Sequence, residues 1–152
     1  MKKNNVLLFV MFFCGLSLLT SCNDNDLVDG NCDVPFMAKL NASVAAEGGA
    51  TSFNVKKNES FFCVDYVTTI QGTDTVRYSI NVESQDVATT PQNISKDWFN
   101  IVTKLDEETK RLSLVNVELE PNQDTEERIL LINVLWMNCS NTLTITQAAQ
   151  SE

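Results

Sequence analysis

The chain has 152 residues, with 20 acidic and 11 basic side chains and a formal net charge of −9 at pH 7. Nucleic-acid binding works through basic patches, so this balance argues against it. The sequence contains no histidine, which excludes Ser-His-Asp and Cys-His catalytic sites and histidine-ligated metals. Most acids stand in turns or at solvent-facing strand positions, a pattern that does not favour the paired carboxylates of glycosidases. We expect a non-enzymatic protein without metal or cofactor.

The amino terminus has the layout of a secretory signal. Two lysines precede an almost wholly apolar run over residues 6–19, which suits a signal h-region and is shorter than the ~20 residues of a membrane-spanning helix. The sequence LTSC at residues 19–22 then resembles the bacterial lipobox. The resemblance implies a signal peptide over residues 1–21, cleavage between Ser21 and Cys22, and lipidation of Cys22.

A polar segment, residues 22–36, follows as a lipidated tether. Its start, NDND at residues 23–26, resembles the acidic stretch that directs many Bacteroidetes lipoproteins to the outer face of the cell. Three acyl chains exceed the single chain that binds a membrane only reversibly. We expect an outer-membrane protein held by its N-terminal lipid at the cell surface or, alternatively, on the periplasmic face.

The domain expected over residues 37–149 shows strand-length segments, frequent turn signals and no long helical periodicity. This pattern predicts an all-β, immunoglobulin-like antiparallel sandwich of seven to eight strands, preceded by the signal-peptide helix and the tether. In chain order the predictions are a hairpin of residues 40–46 and 51–56 around Gly48 and Gly49; strands at 61–70 and 76–82; a loop at 83–96; strands at 98–102, 112–119 and 129–137; a turn at 138–141; and a closing strand to 149.

Several motifs in the second half carry a family resemblance. They are WFNI at residues 98–101, VNVELEPN at 115–122, a strand opened at residue 128, and LTITQAA at 143–149. In this order and spacing they resemble the BACON domain, an immunoglobulin-like module of Bacteroidetes often linked with carbohydrate. The glycine turn at residues 46–50 resembles the opening turn of that family.

The sandwich gives the motif residues structural roles. Trp98 is expected between the sheets, where a large aromatic side chain contributes most to the core. Gln147 is expected to bind backbone groups at the end of the sandwich. Arg128 is expected to pair with the acids of residues 124–127.

Three cysteines remain once the signal peptide is removed and Cys22 carries lipid: Cys32, Cys63 and Cys139. The envelope is oxidising, so one disulfide is expected. Strand order brings all three cysteines towards one end of the sandwich. The expected pairing is Cys63–Cys139, and the alternative is Cys32–Cys139.

The strand at residues 129–137 is apolar on both faces, and so has either a covered face or a contact surface. Residues 71–96 are the expected cover. Trp136, Leu131 and Leu135 are the candidate ligand or partner contacts, with Trp136 at the edge of the core as the other interpretation. Separately, DTV at residues 74–76 resembles the short O-glycosylation sequon of Bacteroidetes, which makes Thr75 a candidate acceptor.

Two functions are compatible with these features. The first is a surface lipoprotein whose BACON-like module assists glycan binding, in which case an exposed aromatic platform is expected. The alternative is a structural or interaction subunit that contacts another envelope protein without binding glycans.

Replacement of Cys22 by Ser should abolish lipidation, because the thiol is the expected acyl attachment point. We expect the wild-type protein to incorporate labelled palmitate and to enter the detergent phase of a Triton X-114 extraction, and the Cys22→Ser variant to do neither. Cys14→Ser changes another cysteine of the leader and should behave as wild type. Palmitate in the Cys22→Ser variant would contradict the assignment.

Overall fold

The computed structural model describes residues 35–56, 62–80, 89–136 and 139–151. The signal peptide, its cleavage site, Cys22 and Cys32 lie outside these residues. The described residues form nine strands: β1 (Asn41–Val44), β2 (Gly49–Asn54), β3 (Cys63–Gln71), β4 (Asp74–Ser79), β5 (Asn93–Lys96), β6 (Phe99–Leu105), β7 (Leu112–Leu119), β8 (Arg128–Trp136) and β9 (Cys139–Gln147). No helix among them is long and apolar enough to cross a membrane.

The strands form two sheets, one of five strands in the order β1-β9-β8-β3-β4 and one of four in the order β2-β7-β6-β5. Within the sheets every pair of named strands is antiparallel except β1 with β9, which is parallel. The fold is an immunoglobulin-like β-sandwich, and the predicted fold class is confirmed. The described residues form nine strands rather than the seven to eight expected, and the predicted signal-peptide helix lies outside them.

The predicted first hairpin is wrong, because β1 and β2 belong to different sheets. The chain crosses between the sheets where the hairpin turn was expected, with positive φ angles of 84° at Gly48 and 137° at Gly49. A Cβ atom at Gly48 would collide with the carbonyl oxygen of Leu119. Glycine is therefore required here for a tight crossing past β7 rather than for a hairpin.

The predicted loop at residues 83–96 contains a strand at its end. β5 pairs with β6 at the edge of the four-stranded sheet, and only Ile94 of its four residues is buried. An edge strand with one inward apolar side chain has too little hydrophobic alternation to be recognised in the sequence.

The core lies between the sheets and follows the alternation of the strands. In β7, Val115, Val117 and Leu119 are buried, whereas Asn116 and Glu118 face outward, as predicted. Each fully buried aliphatic or aromatic side chain contributes about 1.5–3 kcal/mol relative to exposure.

Trp98 does not fill the core. Phe99, the first residue of β6, points inward with 2% of its surface exposed. Trp98 precedes it in the β5–β6 turn, half-buried and edge-on to the Phe99 ring at 5.4 Å between centroids. Inward positions alternate from Phe99, so the adjacent tryptophan is placed at the rim.

The sandwich has two ends, at which different segments of the chain meet. We call the end that holds Phe36, Met37, Trp136 and Cys139 the tether pole, because the chain enters the sandwich there. We call the opposite end, formed by the turns at residues 45–48, 72–73 and 97–98 and the segment 120–127, the far pole.

Gln147 closes the far pole. Its side chain is fully buried, and its Nε2 donates to the carbonyl oxygens of Glu120 at 2.8 Å and Ala46 at 3.4 Å. These carbonyls belong to the segments that leave β7 and β1, so one amide connects the ends of both sheets. The predicted role of Gln147 is confirmed.

Replacement of Gln147 by Ala should lower the free energy of unfolding by about 2–3 kcal/mol, because a cavity remains, the Glu120 carbonyl loses the amide donor, and the Ala46 carbonyl keeps only the N–H of Asn122. Urea denaturation measures this loss. Thr142→Ala, at an exposed position of the same strand, should change stability by no more than about 0.5 kcal/mol. Equal losses in the two variants would contradict the role assigned to the amide.

Candidate functional site

The cysteines do not pair as first expected. Cys139 is disulfide-bonded, whereas Cys63 is a free thiol. The expected Cys63–Cys139 bond is therefore wrong, and the partner of Cys139 lies outside the described residues. The alternative, Cys32–Cys139, involves such a residue and stays a prediction.

Sheet geometry explains why the two cysteines do not join. β8 separates β3 from β9, which places their backbones about 9–10 Å apart, whereas a disulfide needs Cα atoms about 4.4–6.8 Å apart. Cys63 also pairs with Leu135 on the outer face, while Cys139 pairs with Trp136 and is buried on the inner face. Both cysteines lie at the tether pole, but they point to opposite sides of the sheet.

The candidate contact residues do not form one surface. Leu131 and Leu135 lie half-buried on the outer face of β8, together with Ile129. Trp136 lies on the inner face at the tether pole, where its ring packs against Phe36 at 5.9 Å. The indole Nε1 is buried and has no hydrogen-bond partner among the described residues.

The expected cover of this outer face is not found in the described part of residues 71–96. β4 extends the edge of the same sheet, and β5 joins the other sheet. On the β9 side, the outer face of β8 is flanked by hydroxyl-bearing residues, among them Thr144 and Thr146. On the β3 side its neighbours are Ile70, Thr68, Tyr66 and Cys63. We define the apolar stripe as Ile129, Leu131 and Leu135, which Asn133 interrupts.

The outer face of the four-stranded sheet carries a depression of about 520 Å³, which we call the polar depression. Outward residues from three neighbouring strands meet there in register, as Ala50–Glu118–Asn100 and Ser52–Asn116–Val102. The lining is Ala50, Thr51, Ser52, Asn100, Val102, Lys104, Asn116, Val117 and Glu118. The sequence signal for it is the alternation of Asn116 and Glu118 with apolar residues along β7, which marks a polar outer face but not a depression.

The chemistry of the polar depression is hydrogen bonding. Hydroxyl, amide, carboxylate and ammonium groups supply both donors and acceptors. The Oδ1 atom of Asn100 is buried and has no partner among the described residues. Glu118 is the one carboxylate of the lining, so the lining lacks the two-carboxylate arrangement of glycoside hydrolysis. The described residues hold no cluster of three metal-ligating side chains.

An exposed aromatic platform was the sequence-based expectation for glycan binding. None of the aromatic side chains in the described part of the chain is classed as exposed, since each is buried or half-buried. The exposed large hydrophobic residue of the described chain is Val76, at 48%. It stands on β4 next to Thr75, which is also exposed, so the candidate glycosylation residue is accessible.

At the far pole, Arg128 forms the expected ion pair. Its guanidinium lies 2.8 Å from the Oδ2 atom of Asp124 and sits over the Trp98 ring, 5.3 Å from the centroid. Gln71 Nε2 also donates to Asp124 Oδ2, at 2.6 Å. Hydrogen bonds from Arg128 and Gln71 lower the pKa of Asp124. The Asp124 side chain is exposed, whereas that of Arg128 is 12% exposed. Solvent at the carboxylate screens the pair, so it contributes little to stability, but together with Gln71 it holds residues 124–128 against β3.

Comparison with known proteins shows the fold alone. No protein-family model and no curated protein matches the chain. The NMR structure of a protein from Bacteroides thetaiotaomicron is similar at a TM-score of 0.50 and 16% identity, and covers 74% of this chain and 79% of that one. Murine CRIg matches at a TM-score of 0.28 and 6% identity, over 74% of this chain and 94% of that one, a level that adds nothing to the argument.

The free thiol should react slowly with alkylating agents near pH 8. Burial and the negative charge of Asp65 raise the pKa of Cys63, so the thiolate, which is the nucleophile, is scarce. The rate of iodoacetamide reaction at Cys63 is measured against pH by peptide mass spectrometry. The midpoint of this profile should lie at higher pH in the folded protein than in the urea-unfolded chain. Asp65→Asn should move the midpoint to lower pH, whereas Asp106→Asn, which changes a distant carboxylate, should leave it in place. A profile insensitive to Asp65 would refute the electrostatic contribution.

Proposed function

We propose that the protein is a non-enzymatic cell-envelope lipoprotein, anchored through Cys22, whose sandwich assists glycan binding in the polar depression. The anchor rests on the lipobox resemblance of residues 19–22. The link to carbohydrate comes from the resemblance to the BACON domain. The observation that carries the proposal is the polar depression itself, a concave surface built from hydrogen-bonding side chains.

Carbohydrate hydroxyl groups both donate and accept hydrogen bonds, and the depression offers both functions side by side. Asn100 and Asn116 each present a carbonyl oxygen and an amino group, and Ser52 adds a hydroxyl. A buried acceptor without a partner, such as Asn100 Oδ1, costs about 1–3 kcal/mol. A ligand hydroxyl that donates to this oxygen after a small turn of the amide would offset that cost.

The volume and the lining of the polar depression also limit the size of the ligand and the strength of binding. A depression of about 520 Å³ falls within the range of about 300–1,000 Å³ that small-molecule sites occupy. No aromatic side chain lines it, so ring stacking on a sugar does not contribute there. We expect weak binding that depends on the placement of hydroxyl groups.

The alternative function is an interaction subunit, and the apolar stripe of β8 favours it. Leu131 and Leu135 are half-buried on the outer face of β8, on either side of the buried Asn133. Such a stripe fits the edge of another envelope protein better than it fits a sugar. The position at the cell surface, with the periplasmic face as the other possibility, is part of either function.

A panel of plant and mucin glycans, presented to the full-length lipoprotein in detergent micelles, tests the proposal. The double variant Asn100→Ala/Asn116→Ala should bind any captured glycan about tenfold or more weakly. The reason is the loss of two hydrogen bonds, each of about 0.5–1.5 kcal/mol. Leu131→Ser, on the opposite outer face, is the matched control and should bind as wild type.

The same variants separate the two functions. An empty glycan panel with the folded wild-type protein would refute glycan binding. Co-purification of an envelope protein that Leu131→Ser abolishes and Asn116→Ala retains would establish the alternative.

A further inference from the structure

The amino-terminal entry of the sandwich is fastened to the tether pole. The N–H of Met37 donates to Asn141 Oδ1 at 3.2 Å, and Met37 also forms an isolated antiparallel bridge with Val55. The N–H of Lys56 donates to the Phe36 carbonyl at 2.8 Å. Phe36 and Met37 are both buried. The chain therefore enters the fold at a fixed point on this pole.

The chain between this point and the anchor is short. Residues 23–34 separate Cys22 from Pro35, a segment that spans about 45 Å when fully extended and about 20 Å on average when flexible. A nine-residue strand such as β8 or β9 is about 30 Å long. The tether pole is thus held near the lipid, whereas the far pole reaches it only if the tether runs back along the whole sandwich.

Charge is distributed unequally between the two poles. In the part of the chain that the structure describes, the far pole carries eight carboxylates against two cationic side chains. The acids are Glu47, Asp74, Asp97 and the five acids of residues 118–127, and the cations are Lys96 and Arg128.

The described part of the tether pole is balanced by comparison. Among its described residues five cationic side chains stand against four carboxylates. The cations are Lys39, Lys56, Lys104, Lys110 and Arg111, and the acids are Asp65 and the three acids of residues 106–108. The tether that leads to this pole adds Asp24, Asp26, Asp29 and Asp33, which the covalent anchor would hold near the lipid whatever their charge.

From these two independent features we infer that the tether pole faces the membrane and the acidic far pole faces away from it. The partner surface is a negatively charged lipid headgroup layer, which repels the far pole within about one Debye length, ~10 Å. This inference rests on the lipid anchor of the proposed function. It leaves the polar depression on the side of the sandwich, with its strands perpendicular to the membrane, and presents the turns around Trp98 and Arg128 outward.

The two tryptophans of the sequence provide the probes, since Trp136 lies at the tether pole and Trp98 at the far pole. Full-length lipidated Trp98→Phe and Trp136→Phe variants are reconstituted in vesicles of phosphatidylethanolamine and phosphatidylglycerol that contain a little dansyl-labelled lipid. Energy transfer to dansyl should be at least about twofold greater from Trp136 than from Trp98, because about 30 Å separates the poles. Circular dichroism confirms that both variants are folded.

The outcomes separate the inference from the anchor. Equal transfer, or greater transfer from Trp98, in protein that floats with the vesicles would overturn the orientation alone. Protein that does not float with the vesicles would overturn the anchor, and the orientation with it.

Charge reversal tests the electrostatic contribution. Lys56→Glu at the tether pole should reduce the ratio of the two transfer efficiencies at low salt, and Lys96→Glu at the far pole should maintain or increase it. High salt should bring both variants close to wild type, with transfer from Trp136 still the greater because the tether is covalent. A ratio that falls equally in both variants would overturn the charge argument.

Discussion

The crossing of the chain between the two sheets, directly after β1, is the constraint on which the rest of the structure depends. Four residues, 45–48, connect a strand of the five-stranded sheet to a strand of the four-stranded sheet. Gly48 allows the backbone to pass against the Leu119 carbonyl, where no side chain would fit. The Ala46 carbonyl in this crossing accepts from the N–H of Asn122 at 2.7 Å and from the Gln147 amide of the last strand at 3.4 Å. The first and last strands thereby hold the sandwich closed.

The outer faces of the two sheets differ in chemistry. The four-stranded sheet turns amides, a hydroxyl, the carboxylate of Glu118 and the ammonium of Lys104 outward around the polar depression. The five-stranded sheet turns the apolar stripe outward, next to the hydroxyl-bearing residues of β9. A hydrogen-bonding concave face suits a hydroxylated ligand, and a flat apolar stripe suits another protein. The two functional hypotheses therefore concern different sides of one small domain.

Whether two cysteines can form a disulfide depends on which strand and which face of the sheet each occupies, and not only on their lying at the same end of the sandwich. Cys63 and Cys139 are both near the tether pole, yet an intervening strand and opposite facing keep them apart. The disulfide at Cys139 and the hydrogen bonds of Phe36 and Met37 lie at the same end. The tether and the covalent crosslink thus concentrate at one pole, while the acidic turns concentrate at the other.

Much of the secondary structure follows from the sequence, because alternation along a strand is a local property. The bounds of β7 and the outward positions of Asn116 and Glu118 were predicted from local pattern. The acidic partner of Arg128 and the closing role of Gln147 were predicted from the family resemblance and the sandwich that it implies. The sequence did not predict strand β5, because its single inward residue, Ile94, gives no alternation. It also did not predict the rim position of Trp98, because a shift of one residue along the strand decides whether Trp98 or Phe99 faces the core. The lipobox at residues 19–22 is likewise a purely local signal. Which strands share a sheet, which cysteines can meet, and which outward side chains gather in the polar depression depend on pairing between residues far apart in the chain. That pairing is set by burial of both sheets against each other, so only the tertiary structure decided it.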